Sequence, residues 1–196
     1  MTRLFVAIDF PAAVNRRLAA LRSGLAGARW LPPEQFHLTL RFIGEVDSGA
    51  FADIADDLGA VIFPPFSLRL SGVGHFPPRG RPRVLWAGVD FGVGAGVGAG
   101  ESLSRLQSRI ENRLRGLGIV PEGRPFAPHV TLARLKGTPA GHLGDYLMAH
   151  GDFITETIPI TEFHLYSSVL GPKGAIHRIE ASYPLDDGRQ FRTPAP

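Results

Sequence analysis

The feature that most constrains this chain is that it matches itself at one spacing. His37-Leu-Thr-Leu recurs as His129-Val-Thr-Leu, an offset of 92 residues. The same offset carries the helical pattern of 13–25 onto 105–117 and that of 50–62 onto 142–154. It also carries the extended segments 67–75 and 83–90 onto 159–167 and 175–182. Chance does not align five elements with a single shift, so the chain reads as an internal duplication, with repeat units of about 11–91 and 101–183. Such a repeat is far longer than a solenoid unit, which predicts two lobes packed together and not an array.

Periodicity supplies the elements. Ala13–Leu25 spaces Val14, Leu18, Leu21 and Leu25 along one helical stripe. Leu4–Asp9 reads as a strand ended by Pro11. Phe36–Gly44 alternates, with Leu38, Leu40 and Phe42 on one face and His37, Thr39 and Arg41 on the other. Gly49–Ile62 reads as a helix stopped by Pro64 and Pro65. Phe66–His75 and Arg83–Asp90 read as strands joined by a Pro- and Arg-rich loop, Phe76–Pro82. Helices at Glu101–Leu117 and Pro139–His150 alternate with strands at Pro128–Leu135, Thr157–Leu170 and Ala175–Tyr183. The expected fold is α+β and bilobal: two small antiparallel sheets, helices on the outside and a central cleft. One domain is expected over 1–185, with a patternless, disordered tail at 186–196.

Composition removes several chemistries. A chain of 196 residues, 44% hydrophobic, can bury a real core. It has no cysteine, which excludes disulfides, thiolate metal sites and a cysteine nucleophile. No run approaches the roughly 20 apolar residues that a membrane span needs. The apolar run at the N-terminus is too short for a signal peptide and is interrupted by Asp9, so a cytoplasmic protein without a membrane partner is expected. Net charge is +3, and the only lysines are Lys136 and Lys173. Arginine's planar fork suits phosphate and stacks on bases, although arginine-rich codon usage explains the same bias.

The two His-x-Thr strands carry the chemistry. Residues two apart on a strand leave the same face, so each strand presents an imidazole and a hydroxyl while its apolar residues anchor it. Pseudo-symmetry would bring the pairs together around one small anion. A neutral imidazole can take a proton from water, and an imidazolium can give one to a leaving oxygen. Thr39 and Thr131 can donate to non-bridging phosphate oxygens. A single His-x-Thr is a weak signal; two at equivalent places in a duplicated unit point to function.

These residues resemble the two-histidine (2H) phosphoesterase superfamily, and within it the RNA 2',3'-cyclic phosphodiesterases, or 2'-5' RNA ligase-like proteins. The resemblance runs from Arg3 to about Leu185 and rests on four segments. They are Arg3-Leu-Phe-Val-Ala-Ile-Asp, Trp30-Leu-Pro-Pro-Glu-Gln-Phe-His-Leu-Thr-Leu-Arg-Phe-Ile-Gly, Pro82-Arg-Val-Leu-Trp-Ala-Gly and Arg124-Pro-Phe-Ala-Pro-His-Val-Thr-Leu-Ala-Arg. It implies a bilobal fold with both motifs in a central cleft, and hydrolysis of a 2',3'-cyclic phosphate to a 2'-phosphate with O3' as leaving group. By analogy His129 would activate water and His37 would protonate O3', although pseudo-symmetry admits the reverse assignment. Arg134 matches an arginine of the family's site, yet strict alternation points it away from the cleft unless the strand bulges near Ala133. The implied partner is an RNA end or tRNA fragment bearing a cyclic phosphate, with no metal and no cofactor. Two alternatives stay open: ATP-independent 2'-5' ligation, which is the reverse reaction, and a non-catalytic module that holds RNA ends. A monomer is expected, because the duplication already supplies two half-sites.

Other residues admit two readings. Arg41 shares the face of His37 and Thr39, and either meets substrate phosphate or covers the strand end. Phe76-Pro-Pro-Arg-Gly-Arg-Pro-Arg suits RNA binding or is a solvated, proline-stiffened loop. Trp30, Phe42 and Trp86 sit in apolar patterns and read as core. His75, His142, His150, His164 and His177 lack a matching motif and read as surface or strand residues. Gly94-Ala-Gly-Val-Gly-Ala99 satisfies a dinucleotide-binding pattern, but a Gly-Val-Gly-Ala repeat does so trivially. Segment 92–100 reads instead as a flexible link between the units.

Overall fold

The structure is a computed structural model that describes residues 1–90, 99–171 and 174–186. Most of the glycine-rich link and of the expected tail lies outside those residues.

Among the described residues, ten strands and four α-helices run in the order β1 (Thr2–Asp9), α1 (Ala12–Ala20), β2 (Ala28–Trp30), β3 (His37–Val46), α2 (Ser48–Leu58), β4 (Phe66–Leu68), β5 (Leu70–Phe76), β6 (Val84–Val89), α3 (Ala99–Gly116), β7 (His129–Leu135), α4 (Ala140–Ala149), β8 (Ile158–Ile160), β9 (Glu162–Gly171) and β10 (Gly174–Pro184). A short 3-10 turn, Pro33–Gln35, precedes β3. The α+β class and the duplication are both present. β4 and β8, and likewise α2 and α4, start at positions separated by the repeat offset.

Local chemistry explains the boundaries. The Asp47 side chain accepts a hydrogen bond from the Ala50 N–H at 2.9 Å and caps α2. That helix ends at Leu58, short of the prolines expected to stop it, because Gly59 and Ala60 turn the chain with 3.1 Å bonds back to Asp56 and Asp57. Each long strand expected after the second helix of a repeat breaks after three residues, at Arg69 and at Thr161. The severed pieces β4 and β8 pair with each other as a separate two-stranded sheet.

The remaining eight strands form one antiparallel path, β10-β9-β1-β3-β7-β6-β5, with β2 added on β7. The two lobes meet in the middle of it, where β3 and β7 touch through a single residue pair, Leu38 and Val130. The two small sheets expected from the sequence are therefore continuous, though joined by one pair only. Hairpin β5–β6, from the first repeat, extends the sheet of β7, whereas β9–β10, from the second, extends that of β3 through β1. The repeats thus exchange hairpins, and neither closes its own sheet.

One face of this sheet is the core. Leu38, Leu40, Val130 and Leu132 are buried together with Leu18, Ile54, Leu106, Ile110 and Leu143 from the four helices. A buried aliphatic side chain contributes about 1.5–3 kcal/mol, so this packing is what orients the motif strands. The opposite face carries His37, Thr39, His129 and Thr131, all partly exposed. Among the described residues no helix is long and apolar enough to cross a membrane.

Candidate active site

The pairing of Leu38 with Val130 sets the site's geometry. In an antiparallel pair, extending that register by one residue each way sets His37 across from Thr131 and Thr39 across from His129, on one face. The four motif side chains therefore share one face where the lobes meet, and His129 is near enough to act on the charge of His37.

Both imidazoles are locked the same way. Nδ1 of His37 donates to the Gln35 carbonyl at 2.8 Å, and Nδ1 of His129 donates to the Ala127 carbonyl at 2.7 Å. A carbonyl only accepts, so each Nδ1 carries the proton and each Nε2 is left with a bare lone pair. The two acceptors are themselves one repeat offset apart. Duplication has preserved the tautomer lock along with the histidine.

Burial makes both rings poor proton holders. His37 is lowered from 6.5 to about 4, chiefly by desolvation and next by the neighbouring His177; Asp9 and the Gln35 hydrogen bond oppose this, and His129 adds a smaller depression. His129 is also lowered, chiefly by desolvation, with Arg134 contributing and the bond to Ala127 opposing. An anion bound between the rings would offset these effects and favour an imidazolium.

A bulge decides which other motif-strand residues reach the cleft. Along β1–β3 the register slips between Val6 and Ala7, leaving Leu40 extra. Along β6–β7 it slips between Leu85 and Trp86, leaving Leu132 extra. These bulges are one repeat offset apart, and each reverses the alternation beyond it. Arg134 is thereby returned to the cleft side, exposed and close enough to act on His129.

The same bulge overturns the expectation for Arg41. It does not share the cleft face of His37; it is buried on the helix side, 5% exposed. Its guanidinium bonds Glu111 of α3 and the carbonyls of Phe42 and Val120, with Glu122 at 3.9 Å. Arg41 ties α3 and the loop leading to β7 onto β3, so it holds the frame instead of meeting substrate. Phe42, expected in the core, is 56% exposed and lies 6.0 Å from the Phe5 ring on the other face.

Trp86, also expected in the core, lies on the cleft face. It pairs across the sheet with Thr131, and its ring is 6.5 Å from that of His129. The indole packs on Gly74, where a Cβ would come within 2.3 Å of its ring, so glycine makes room for it. Phe76 stands 5.0 Å from His129 and 5.3 Å from Trp86, completing an aromatic wall. On the other side, Phe5 packs 5.0 Å from His37 and stacks on Tyr166, whose hydroxyl donates to Asp9. Motif reading missed these walls because β1, β5, β6 and β9 reach the cleft only through strand pairing.

Known proteins share this fold. A model of the LigT-like phosphoesterase family matches twice, at residues 8–86 and 97–177. The chain belongs to that family. The two matched stretches correspond to the repeats. An RNA 2',3'-cyclic phosphodiesterase of Aeropyrum pernix is 40% identical over 169 residues, covering 83% of this chain and 91% of the relative. One from Thermus thermophilus is 34% identical over 196 residues, covering 96% and 93%. The solved structure of TT0787, also of Thermus thermophilus, superposes with a TM-score of 0.75 at 29% identity, over 95% of this chain and 99% of that one. The solved LigT of E. coli with 3'-AMP, at 24% identity and a TM-score of 0.71, shares the fold over 94% of this chain and 98% of that one. This LigT-like phosphoesterase carries both of its His-x-Thr strands at the lobe junction.

Proposed function

We propose that this chain hydrolyses the 2',3'-cyclic phosphate at an RNA end to a 2'-phosphate, by proton transfers between His37 and His129. The observation that carries the reading is the pair of equivalent Nδ1–carbonyl locks, which leave two Nε2 atoms flanking one lobe junction. The relatives named above support the substrate class.

Water attacks phosphorus as one Nε2 takes its proton. The P–O3' bond breaks, and the other ring, as imidazolium, gives O3' a proton. Each transfer is worth roughly 10²- to 10⁴-fold in rate. Thr39 and Thr131 donate to non-bridging oxygens, and Arg134 offsets the charge that builds on the phosphoryl group. The resemblance assigns His129 as base and His37 as acid. Two imidazoles cover both transfers, so the reading calls for no metal. It sets the protein in the cytoplasm as a monomer.

The test is end-group analysis of a cyclic-phosphate oligonucleotide incubated with chelator. A 2'-phosphate product supports the proposal. A 3'-phosphate product, complete loss with chelator, or full activity after His37→Ala or His129→Ala would overturn it. Joining of tRNA halves without ATP would show the reverse reaction at the same site.

A further inference from the structure

His177 had no place in the motif reading, yet it stands at the reaction centre. It lies on β10, the edge strand of the lobe that holds His37. Its ring sits edge-on to that of His37 at 5.3 Å and edge-on to Phe5 at 4.9 Å. The turn before His37 is pinned to the same strand, because the Gln35 side-chain amide donates to the Ala175 carbonyl at 2.9 Å. The placement of His177 against His37 is therefore braced from both sides.

The ring's own chemistry fixes what it can offer. Nδ1 is buried and has no hydrogen-bond partner among the described residues. An orphaned buried N–H is rarer in folded proteins than an acceptor left short of a donor, so the bare nitrogen belongs at the buried position. The favoured neutral tautomer therefore carries its proton on Nε2. Burial lowers the proton affinity of His177, so the ring stays neutral at pH 7. His37 and His177 are thus complementary neighbours: one presents a lone pair on Nε2, the other an N–H.

We propose that His177 is a substrate-binding residue whose Nε2–H donates to an oxygen of the phosphorylated ribose held beside His37. This deepens the phosphodiesterase reading and rests on it. The contact belongs to one half-site only. One repeat offset earlier stands Leu85, fully buried in the core, so duplication supplied no counterpart. The other charged and titratable groups facing the His37 ring are Asp9 from β1, Tyr166 from β9 and His129 from β7.

The test has a part that needs no turnover. Long-range nitrogen–proton NMR of the wild-type protein should show His177 as the Nε2–H tautomer. Its Nε2 resonance should move as inorganic phosphate saturates His37 and His129. An Nδ1–H tautomer, or a resonance that stays still while the other two move, would overturn the proposal. Kinetics then separate binding from packing. His177→Phe keeps the ring and loses the donor, and should raise KM about tenfold with little change in kcat, the loss of one good hydrogen bond. His177→Gln restores a donor near Nε2 and should recover most of that loss. An unchanged KM in the Phe variant, or equal losses in both, would also overturn it. If wild-type protein fails to cleave the cyclic phosphate yet His177 responds to phosphate, the hydrolase reading falls and the binding contact stands.

Discussion

The half-sites at His37 and His129 agree in their inner atoms and differ in what surrounds them. Both place a histidine and a threonine two apart, lock Nδ1 on a carbonyl two residues back, and bulge at the same position. Past the bulge they diverge. Position 134 is arginine, beside its histidine, whereas the equivalent position 42 is an exposed phenylalanine. His129 faces Phe76 and Trp86, while His37 faces Phe5, His177 and Tyr166. Proton transfer needs two similar groups, which duplication provides. Under the proposed function, binding a substrate in one orientation needs the two sides to be unlike, and the flanking residues differ in that way.

The inner agreement is the easiest part to break. Removing either imidazole, as His37→Ala or His129→Ala, should cost roughly 10²- to 10⁴-fold in kcat. A variant that loses far less at one position would show that the half-sites are not partners. Next comes the outer difference. Arg134→Ala should cost about 10²-fold in kcat, the usual loss for one charge-stabilising donor. Phe42→Ala at the equivalent place should leave kcat nearly unchanged, and equal losses in steady-state kinetics would erase the asymmetry.

Arg41 sharpens the comparison from the core side, since its counterpart Ala133 is a small buried residue. Arg41→Met strands Glu111, and should lower unfolding free energy by about 2 kcal/mol in urea titration, below the full buried-pair value because Glu111 retains some solvent. KM should not move; a large rise in KM would return Arg41 to the cleft. Trp86→Ala should raise KM roughly tenfold for an oligonucleotide, the scale of one lost base–aromatic stack. A smaller rise for a mononucleotide cyclic phosphate would place that stack beyond the terminal base.

The smallest effect is on protonation. In the free protein His37 should titrate near pH 4, read from its ring protons by NMR. Because the folded value lies below the unfolded 6.5, the unfolded chain binds the proton first as pH falls. The stability linked to this group is fully present above about 6.5 and is lost as pH drops toward 4. Bound phosphate should raise the midpoint, and an unchanged midpoint would show that the anion does not sit beside this ring.

The elements were legible wherever hydrophobic period and caps spoke for themselves. Leu38 and Leu40 announced the buried face of β3, and the helix starts were legible to within a few residues, whereas the ends ran long, to Leu25 against Ala20 and to Ile62 against Leu58. What failed did so at irregularities. The bulges at Leu40 and Leu132 add one residue without any sequence mark, so counting by two placed Arg41 in the cleft and Phe42 in the core. Trp86 looked like core because an apolar residue on a strand reads alike whichever face it takes. His177 carried no signal at all, because its role depends on a hairpin from one repeat docking on the sheet of the other.

The sequence by itself determined the duplication, the α+β class and the two His-x-Thr strands, since each is encoded in order and spacing along a few neighbouring residues. The tertiary structure decided which hairpin extends which sheet, that the lobes touch through Leu38 and Val130, and which aromatic and basic side chains stand around each imidazole. Those outcomes depend on pairings between strands far apart in the chain, where hydrogen bonds and buried area are summed over the whole fold and no local pattern records the winner.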